Sequence, residues 1–351
     1  MSYMFYNDLK KAEKMIEDSK NPVIIPWRSG RRLEWFYSII NFANEYAIPV
    51  INYAGEVLNY PSNMPMAVDE YNLEDVDLIL NIENGIPYFP RYNDVNCKII
   101  TIDTEPLYNN IPYLGIDSDI ILRGDISLIL NSLKPKIEKG IIEERKNKVR
   151  EIRELQNRSK NEEIQRLSKE NTINPRYLSW KIGKLDMPVF TDYQVNPKYS
   201  LPNKFSSYFS IPDAGYLGWA MGAAVGYKIA TGIDTIAAVG DGSFIFGVPT
   251  AFGYAAKDFP VLCIIFDNSQ WLASAESVKD VFKNSHAWKI NKFPGADLKD
   301  YNYGDVIKIF GGENIIIERP DEIDEGIKKG INILKKEKKP VVLQCKVDKT
   351  R

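Results

Sequence analysis

One stretch, from Thr235 to Trp271, constrains the fold of this chain more than any other. It begins with an apolar run that ends at Val239 and is typical of a buried strand. Gly240-Asp241-Gly242 follows, and a side chain at either glycine would hinder the tight turn that this triplet predicts. A helical pattern from about Val248 to Lys257 and a second apolar run, Val261 to Phe266, complete the stretch. The pattern predicts a β-α-β unit with parallel strands and a right-handed crossover.

Two oxygen-bearing side chains follow the two predicted strands. Asp241 lies just past the first strand, and Asn268 lies just past the second, 27 residues later. Because parallel sheets bind ligands at the carboxyl edge, we expect both side chains in one crevice. Carboxylate and amide oxygens suit Mg²⁺ or Ca²⁺ rather than zinc or copper, and Mg²⁺ usually completes its shell with water and phosphates. Gly242 and Ser243 add backbone N–H groups that favour an anion, so the stretch predicts a diphosphate bound together with a divalent ion.

The same residues resemble a known motif. GDG followed at this distance by an Asn resembles the thiamine-diphosphate (ThDP) motif. Upstream, Gly215-Tyr-Leu-Gly-Trp-Ala-Met-Gly-Ala-Ala-Val-Gly226 is similar to the glycine-rich segment of acetolactate synthase-like and benzoylformate decarboxylase-like enzymes. Two positions depart from the family pattern, since Asp267 stands where a second Asn is usual and Gly222 stands where Pro is common. The resemblance implies an α/β fold with two doubly wound parallel-sheet domains.

The resemblance also implies roles for individual residues. Asp241 and Asn268 would hold Mg²⁺, and the backbone carbonyl of Gln270 would be the third protein ligand. For Trp271 the sequence leaves two roles open, a place beside the cofactor and substrate or packing in an aromatic core. The implied cofactor-binding residues are Gly215, whose carbonyl would accept from the aminopyrimidine, Leu217 as the apolar wedge that bends the cofactor, Gly240, Gly242, Ser243 and Asn268 around the diphosphate, Gln194 and Val195 in an earlier loop, and Trp271.

Composition excludes several classes of function. Of the 351 residues 44% are hydrophobic, which is enough for full cores, and the net charge of −2 offers no basic surface for nucleic acid. No apolar run approaches the roughly 20 residues of a membrane span, and the N-terminal segment has no apolar signal core. The single histidine, His286, argues against a histidine-based zinc site or a Ser-His-Asp triad. We therefore expect a cytoplasmic protein that acts on a small molecule.

The first 135 residues predict a separate domain. Apolar runs such as Pro22–Pro26 and Ile48–Tyr53 alternate with helical patterns such as Leu33–Tyr46, which indicates a parallel α/β sheet. The segments PVIIPWRSGRR, IPVINYAGEVLNYPSNMP and IITIDTEPLYNNIPY resemble the middle domain of the same enzymes, which in some relatives holds FAD or an ADP-containing ligand. The turn Trp27-Arg28-Ser29-Gly30 is not GxGxxG, so we favour a structural middle domain without nucleotide.

Residues 136–172 have a different character. The 35 residues from Lys136 to Glu170 include 11 basic and 8 acidic side chains, with few apolar positions. This mixture predicts a solvated helical linker. The remainder, residues 173–351, is then the ThDP diphosphate-binding domain.

Enzymes of the resembled family have a further domain that binds the pyrimidine ring and supplies an activating glutamate. The first predicted helix of the middle domain begins near residue 8, and no motif of this chain matches the glutamate. The catalytic residue is therefore unknown, and the resemblance places the glutamate on a partner chain. We expect a separate pyrimidine-domain subunit and a homodimer or hetero-oligomer, because the family builds its site between subunits.

The resulting functional prediction is a ThDP- and Mg²⁺-binding subunit of a split 2-oxo acid decarboxylase or carboligase, similar to acetolactate synthase and inactive alone. Ser269-Gln-Trp-Leu-Ala-Ser departs from the Met-Val-x-Gln-Trp segment that acetolactate synthases usually carry. A subunit of a 2-hydroxyacyl-CoA lyase-like enzyme is therefore one alternative. A non-catalytic regulatory or structural partner with the ThDP fold is another, although it would not need both Asp241 and Asn268.

Overall fold

Two parallel β-sheets of six strands each organise the part of the chain that the structure describes. The computed structural model describes residues 3–51, 55–89, 95–106, 116–212, 214–299 and 301–349. Unit 1 consists of Met1–Lys160 and Leu201–Ser207, and unit 2 consists of Asn161–Ser200 and Tyr208–Arg351. Each unit contains one sheet with helices packed against it, so the predicted α/β fold with two doubly wound parallel sheets is confirmed.

The sheet of unit 1 has the strand order β3-β2-β1-β4-β5-β6, and all neighbours are parallel. Every residue of β1 and of β4 is buried, as expected for strands covered on both faces. The strands are β1 (Pro22–Pro26), β2 (Val50–Ile51), β3 (Ala67–Val68), β4 (Leu78–Ile82), β5 (Lys98–Asp103) and β6 (Ile120–Arg123). The α-helices are α1 (Tyr3–Asp18), α2 (Leu33–Tyr46), α3 (Ile126–Ser132) and α4 (Lys139–Leu167), which begins in unit 1 and ends in unit 2; short 3₁₀ helices span Ser29–Arg31 and Leu73–Asp75.

A short segment from beyond the first part of unit 2 in the sequence completes unit 1. Residues Leu201–Ser207 lie between two parts of unit 2 in the sequence, yet they belong to unit 1. The Phe205 ring packs edge-on against the buried Phe36 ring of α2, with ring centroids 5.4 Å apart. The Ser62 backbone N–H donates to the carbonyl of Pro202 at 3.0 Å. Unit 1 is therefore assembled from two separate stretches of the chain.

The sheet of unit 2 has the strand order β11-β12-β10-β9-β7-β8, again with parallel neighbours. Its strands are β7 (Val189–Thr191), β8 (Tyr208–Ser210), β9 (Ile236–Gly240), β10 (Leu262–Asp267), β11 (Glu313–Ile317) and β12 (Val341–Lys346). Its α-helices are α5 (Pro175–Ile182), α6 (Pro197–Ser200), α7 (Trp219–Thr231), α8 (Asp241–Phe246), α9 (Pro249–Ala256), α10 (Leu272–Val281), α11 (His286–Ile290) and α12 (Ile323–Asn332). Residues Tyr303–Phe310 and Pro320–Glu322 form 3₁₀ helices, and Ile333–Glu337 extends α12 as a π-helix.

Local sequence signals explain several helix ends. The Asn174 side chain accepts the Arg176 N–H at 2.9 Å, and Pro175 occupies the first helical position of α5. Asp125 caps α3 in the same way by accepting the N–H of Leu128. At the C-terminal end of α7, Gly232 adopts the left-handed conformation with φ 73°. Such caps and glycine stops satisfy backbone groups that the helix itself leaves unpaired.

Two predictions of local structure need correction, and one short strand was not predicted. The turn predicted at Gly240-Asp241-Gly242 is wrong, because β9 leads directly into helix α8, which begins at Asp241. The strand predicted at Ile48–Tyr53 is limited to β2 among the described residues, since residues 52–54 lie outside them. Strand β3 was not predicted, because Ala67 and Val68 are too short an apolar run to indicate a strand and pair with β2 only through the fold.

Two cysteines lie in central strands of the second sheet. Cys263 in β10 and Cys345 in β12 are fully buried, and burial raises the pKa of both thiols.

Among the described helices, none is both long enough and apolar enough to cross a bilayer.

Candidate functional site

The carboxyl edge of the second sheet contains a topological switch point. From β7 the chain continues to β8 on one side, whereas from β9 it continues to β10 on the other side. Open parallel sheets bind ligands in the crevice where such connections diverge. Gly240 at the end of β9 is paired in register with Phe266 of β10. Asp241 and Asn268 therefore follow neighbouring strands at one edge, as the sequence predicts.

Asp241 is one of the buried acids at this edge. Its side chain is only 2% exposed, and Oδ1 accepts the N–H of Gly242 at 2.8 Å. Oδ2 is also buried, but no group in the described part of the chain donates a hydrogen bond to it. Burial raises the pKa of Asp241 to about 7, and the nearby charge of Asp267 adds to this effect, while the Gly242 N–H opposes it. A buried carboxylate with one open oxygen is a group that a cation would stabilise.

The loop after β10 presents the second predicted metal ligand. The Asn268 side-chain oxygen accepts the Gln270 N–H at 2.9 Å, and Ser269 between them has a left-handed backbone with φ 54°. The Gln270 carbonyl accepts the N–H of Leu272, and its side chain donates to Asp297 at 2.7 Å. Each of these oxygens retains a second lone pair for a metal ion. The loop is thus fixed at several points beside Asp241.

Asp267 lies at the same edge but has different surroundings. Its Oδ2 accepts hydrogen bonds from Lys346 and from Gln344, each at 2.7 Å, and its Oδ1 accepts the N–H and hydroxyl of Ser269. Burial opposes ionisation, but these donors, together with the charge of Lys346, hold the pKa of Asp267 below its ordinary value. Both of its oxygens are therefore already bound within the protein.

Two glycines bring neighbouring side chains close to the backbone of this edge. A Cβ atom added to Gly240 would lie 2.9 Å from Nε2 of Gln194, and one added to Gly242 would lie 2.6 Å from the Trp271 ring. Neither glycine has a positive φ, so backbone conformation does not require glycine at these positions. The close approach of the Gln194 and Trp271 side chains does. The side-chain oxygen of Gln194 is buried and accepts no hydrogen bond within the described residues. It is a second polar atom at this edge that a ligand would satisfy.

The turn from Gly215 to Gly218 packs against helix α8. Gly215 and Gly218 have positive φ values of 64° and 85°. A Cβ atom added to Gly218 would lie 2.2 Å from the Cα of Gly247 and 3.3 Å from the carbonyl oxygen of Ser243. Leu217 belongs to this turn and is partly exposed. The turn that carries the predicted cofactor contacts therefore lies beside the buried Ser243.

Asp192 holds this turn in place, and we did not predict its role. It is fully buried, and its two oxygens accept the N–H groups of Gly218 and Ala220 at the start of α7. Burial raises its pKa to about 6, and the two backbone donors oppose the rise. The available signal was an acidic residue shortly after the apolar pair Val189-Phe190, but its partners are 26 and 28 residues away.

Some predicted residues contribute less than expected. The N–H of Val195 donates to Thr191, and its carbonyl accepts the Tyr208 hydroxyl, so both backbone groups are already paired inside the protein. Trp271 is partly buried and packs against the small cluster of Ala275, Phe293 and Ala296 while it also covers Gly242. His286 begins α11 and is exposed.

Comparison with a family model shows what this edge belongs to. Residues 192–345 match the family described as thiamine pyrophosphate enzyme, C-terminal TPP binding domain, where thiamine pyrophosphate is another name for ThDP. These residues are a ThDP-binding domain. The matched segment begins at Asp192 and includes the Gly215–Gly218 turn, Asp241 and the loop Asn268–Gln270.

Two curated relatives are sulfoacetaldehyde acetyltransferases. The enzyme from Castellaniella defragrans is 24% identical over 191 residues, and the enzyme from Alcaligenes xylosoxydans xylosoxydans is 25% identical over 139 residues. The aligned regions cover 52% and 39% of this chain, but only 31% and 22% of the relatives. The similarity thus extends to about a third of each relative or less.

Solved structures agree with the fold of the whole chain. The thiamine diphosphate-dependent 4-hydroxybenzoylformate decarboxylase from Rhodococcus jostii RHA1 has a TM-score of 0.71 at 16% identity, over 99% of this chain and 64% of its own. Benzoylformate decarboxylase from Polynucleobacter necessarius has a TM-score of 0.73 at 17% identity, over 98% of this chain and 65% of its own. The ThDP-binding domain therefore lies in a chain with the fold of two-thirds of these enzymes.

Proposed function

We propose that this chain is the ThDP- and Mg²⁺-binding part of an enzyme that decarboxylates a 2-oxo acid or transfers the resulting acyl unit to an acceptor. Support for an acyl transfer comes from the two acetyltransferase relatives, and support for a decarboxylation comes from the fold shared with the two decarboxylases. Bound ThDP would supply a nucleophilic carbon for chemistry at a carbonyl group. The residues of this chain would bind and orient it.

The observation that carries this proposal is the open oxygen of Asp241. Oδ2 is buried at the switch-point crevice without a hydrogen-bond donor in the described residues. Leaving a buried carboxylate oxygen unpaired is costly, and a divalent ion would remove that cost. Asp241, Asn268 and the Gln270 carbonyl would hold the ion, which in turn would clamp the diphosphate. Gly240, Gly242 and Ser243, at the end of β9 and the start of α8, would contact the diphosphate.

The remaining predicted residues surround the rest of the cofactor. Gln194 would donate or accept a hydrogen bond through its amide, whose oxygen has no partner inside the described structure. The turn with Gly215 and Leu217 would contact the part of the cofactor beyond the diphosphate, and Asp192 would keep that turn against α7. Trp271 would cover the Gly242 side of the crevice. In these roles the residues would exclude water from the bound cofactor and fix its orientation.

Isothermal titration calorimetry tests the proposal directly. The chain is expected to bind ThDP in the presence of Mg²⁺, and Asp241→Ala is expected to weaken binding about 100-fold or more, because it removes a direct metal ligand. Asp258→Ala is the matched control, since Asp258 is an exposed acid of the same unit paired with Lys257. A wild-type chain that binds no ThDP with Mg²⁺ present would contradict the proposal.

We further propose that the pyrimidine side of the site, with its activating glutamate, is supplied by a second polypeptide. About a third of each solved decarboxylase has no counterpart in this chain. The complex would be a hetero-oligomer, and this chain alone would have little activity. A cytoplasmic location and the absence of a nucleic-acid partner stay predictions from the sequence.

Purification of the tagged chain from its native host tests this assembly. The expected result is a co-purifying polypeptide whose addition allows turnover of 2-oxo acids with ThDP and Mg²⁺. Turnover by the isolated chain at ordinary enzyme rates, or recovery of a single longer polypeptide, would show the two-chain proposal to be wrong. Binding of ThDP without turnover even in the complex would favour a regulatory partner, and turnover only of 2-hydroxyacyl-CoA would favour the lyase.

A further inference from the structure

The last residue of β10, Asp267, is an acid where the resembled family usually has an asparagine, and it directly precedes the loop Asn268–Gln270, which we call the metal-site loop. This exchange needs a physical explanation. Asp267 is 1% exposed and lies at the strand end next to Asp241. A second buried carboxylate beside a metal ligand adds repulsion and a cost of desolvation. Some other group must therefore offset the charge of Asp267.

Lys346 is that group. It occupies the last position of β12, directly in register with Asp267 on β10. Its ammonium nitrogen lies 2.7 Å from Oδ2 of Asp267, and its side chain is 21% exposed while that of Asp267 is fully covered. A salt bridge with such a covered partner is difficult to break without leaving an uncompensated charge. Lys346 also lies one residue beyond the segment that matches the family model.

A third side chain completes the arrangement beneath the loop. Gln344, which is fully buried, donates from one amide group to Oδ2 of Asp267 and to the carbonyl of Tyr301, both at 2.7 Å. Its oxygen accepts the N–H of Gly304 at 3.0 Å. Gln344 thereby fixes the orientation of the Asp267 carboxylate. The other oxygen of Asp267 accepts the N–H of Ser269, the residue of the metal-site loop that has a left-handed backbone.

We propose that Lys346 is a positioning residue for cofactor binding: it neutralises Asp267, and the pair takes the place of a neutral asparagine in holding the loop that presents Asn268 and Gln270. This inference rests on the proposed function, because it concerns the same ThDP and Mg²⁺ site. Asp267 would not bind the metal, because Lys346 and Gln344 donate to one of its oxygens and Ser269 donates to the other. Asp241 would bind the metal through its open Oδ2.

A set of four proteins tests the proposal by titration with ThDP at saturating Mg²⁺. Lys346→Met leaves a buried charge uncompensated and is expected to weaken ThDP binding about tenfold or more, as losses of groups that orient metal ligands do. Asp267→Asn in the Lys346→Met background removes that charge and is expected to restore affinity to within about threefold of wild type. Asp267→Asn alone completes the double-mutant cycle and gives the coupling between the two residues.

Lys308→Met is the matched control, because it breaks a 2.8 Å ion pair with Asp305 in the same unit where both side chains are about half exposed. Thermal unfolding of each variant separates loss of fold from loss of binding. If Lys346→Met does not fold, the double variant decides alone: wild-type affinity supports the neutral-pair role, and lost affinity overturns it. Unchanged binding by a folded Lys346→Met, or no rescue by Asp267→Asn, also overturns it.

These outcomes are distinct from failure of the proposed function. If the wild-type chain does not bind ThDP with Mg²⁺, the function is wrong. If the wild-type chain binds and the cycle shows no coupling between positions 267 and 346, only the positioning role of Lys346 is wrong.

Discussion

Asp241 and Asp267 are carboxylates at neighbouring strand ends with opposite surroundings. Asp241 has one paired and one open oxygen, whereas Asp267 is bound on both oxygens by residues of β12 and of its own loop. Burial and the neighbouring charge raise the pKa of the first, and Gln344 and Lys346 overcome burial to lower that of the second. Partners rather than residue type therefore decide which acid is available to a metal ion.

Asp192 leads to a prediction about pH. Its folded-state pKa of about 6 lies above its ordinary value of 3.8, so the native state holds a proton that the unfolded state releases. Its contribution to stability is therefore fully present below about pH 4 and is lost as pH rises through 6, by on the order of 2–3 kcal/mol. Urea unfolding at pH 4.5 and pH 7.5 is expected to show this trend in wild type relative to Asp192→Asn.

The control for this comparison is Asp258→Asn, which changes an exposed acid of the same unit. It is expected to follow the wild-type pH dependence. If the difference between wild type and Asp192→Asn stays constant between the two pH values, the inferred pKa of Asp192 is wrong.

At the scale of elements, the Gly215–Gly218 turn and the end of helix α8 are in contact too close for a side chain at Gly247. A Cβ atom added to Gly247 would lie 2.3 Å from the terminal carbon of Met221 and 2.7 Å from the Cα of Gly218. One of these contacts is to backbone, which cannot move without shifting the turn. The position of the turn thus depends on the absence of a side chain at Gly247.

Gly247→Ala is expected to destabilise the protein by about 1–3 kcal/mol, because it overpacks this contact, and to weaken ThDP binding. Gly226→Ala is the matched control, since a Cβ atom added to this glycine of α7 meets nothing within 4 Å. In a helix that change is expected to stabilise by roughly 0.5–1 kcal/mol. Urea unfolding and ThDP titration of both variants measure the effects, and equal stability of the two variants would contradict the steric argument.

Sequence reasoning found those parts of the site that lie close together along the chain. The strand–Asp241–helix–strand–Asn268 pattern predicted the crevice, because each element has its own apolar period. It did not find Gln344 and Lys346, which follow Asp267 by 77 and 79 residues and meet it only through the register of β10 with β12. Likewise Asp192 reads as an ordinary turn residue until the fold brings Gly218 beside it.

At the scale of the whole molecule, the two units differ in what they would gain from the cofactor. All predicted cofactor and metal residues from Gln194 to Trp271 belong to unit 2. In unit 1, by comparison, the switch point between β1 and β4 is occupied by the protein's own groups: Glu83 accepts from Arg31 and from Thr104. Binding energy from ThDP should therefore stabilise unit 2.

Hydrogen–deuterium exchange of the full chain tests this difference. With ThDP at about 100 times its dissociation constant and Mg²⁺ present, amides of β9, β10 and α8 are expected to gain protection equivalent to about 2.7 kcal/mol. Amides of β4 and β5 serve as the internal control and are expected to change little. Equal protection of both sets would show that the cofactor acts on both units.

The segment Leu201–Ser207 has a consequence for any attempt to divide the gene. A cut between the codons of Lys160 and Asn161 follows the boundary between the two units, but it falls inside helix α4 and separates Phe205 from the Phe36 ring on which it packs and Pro202 from Ser62. A fragment ending at Lys160 would expose the apolar surface of α2 that Phe205 covers. In the complementary fragment, residues Leu201–Ser207 would lose their contacts with unit 1. Splitting this protein into two independently expressed halves therefore requires grafting those seven residues onto the first half.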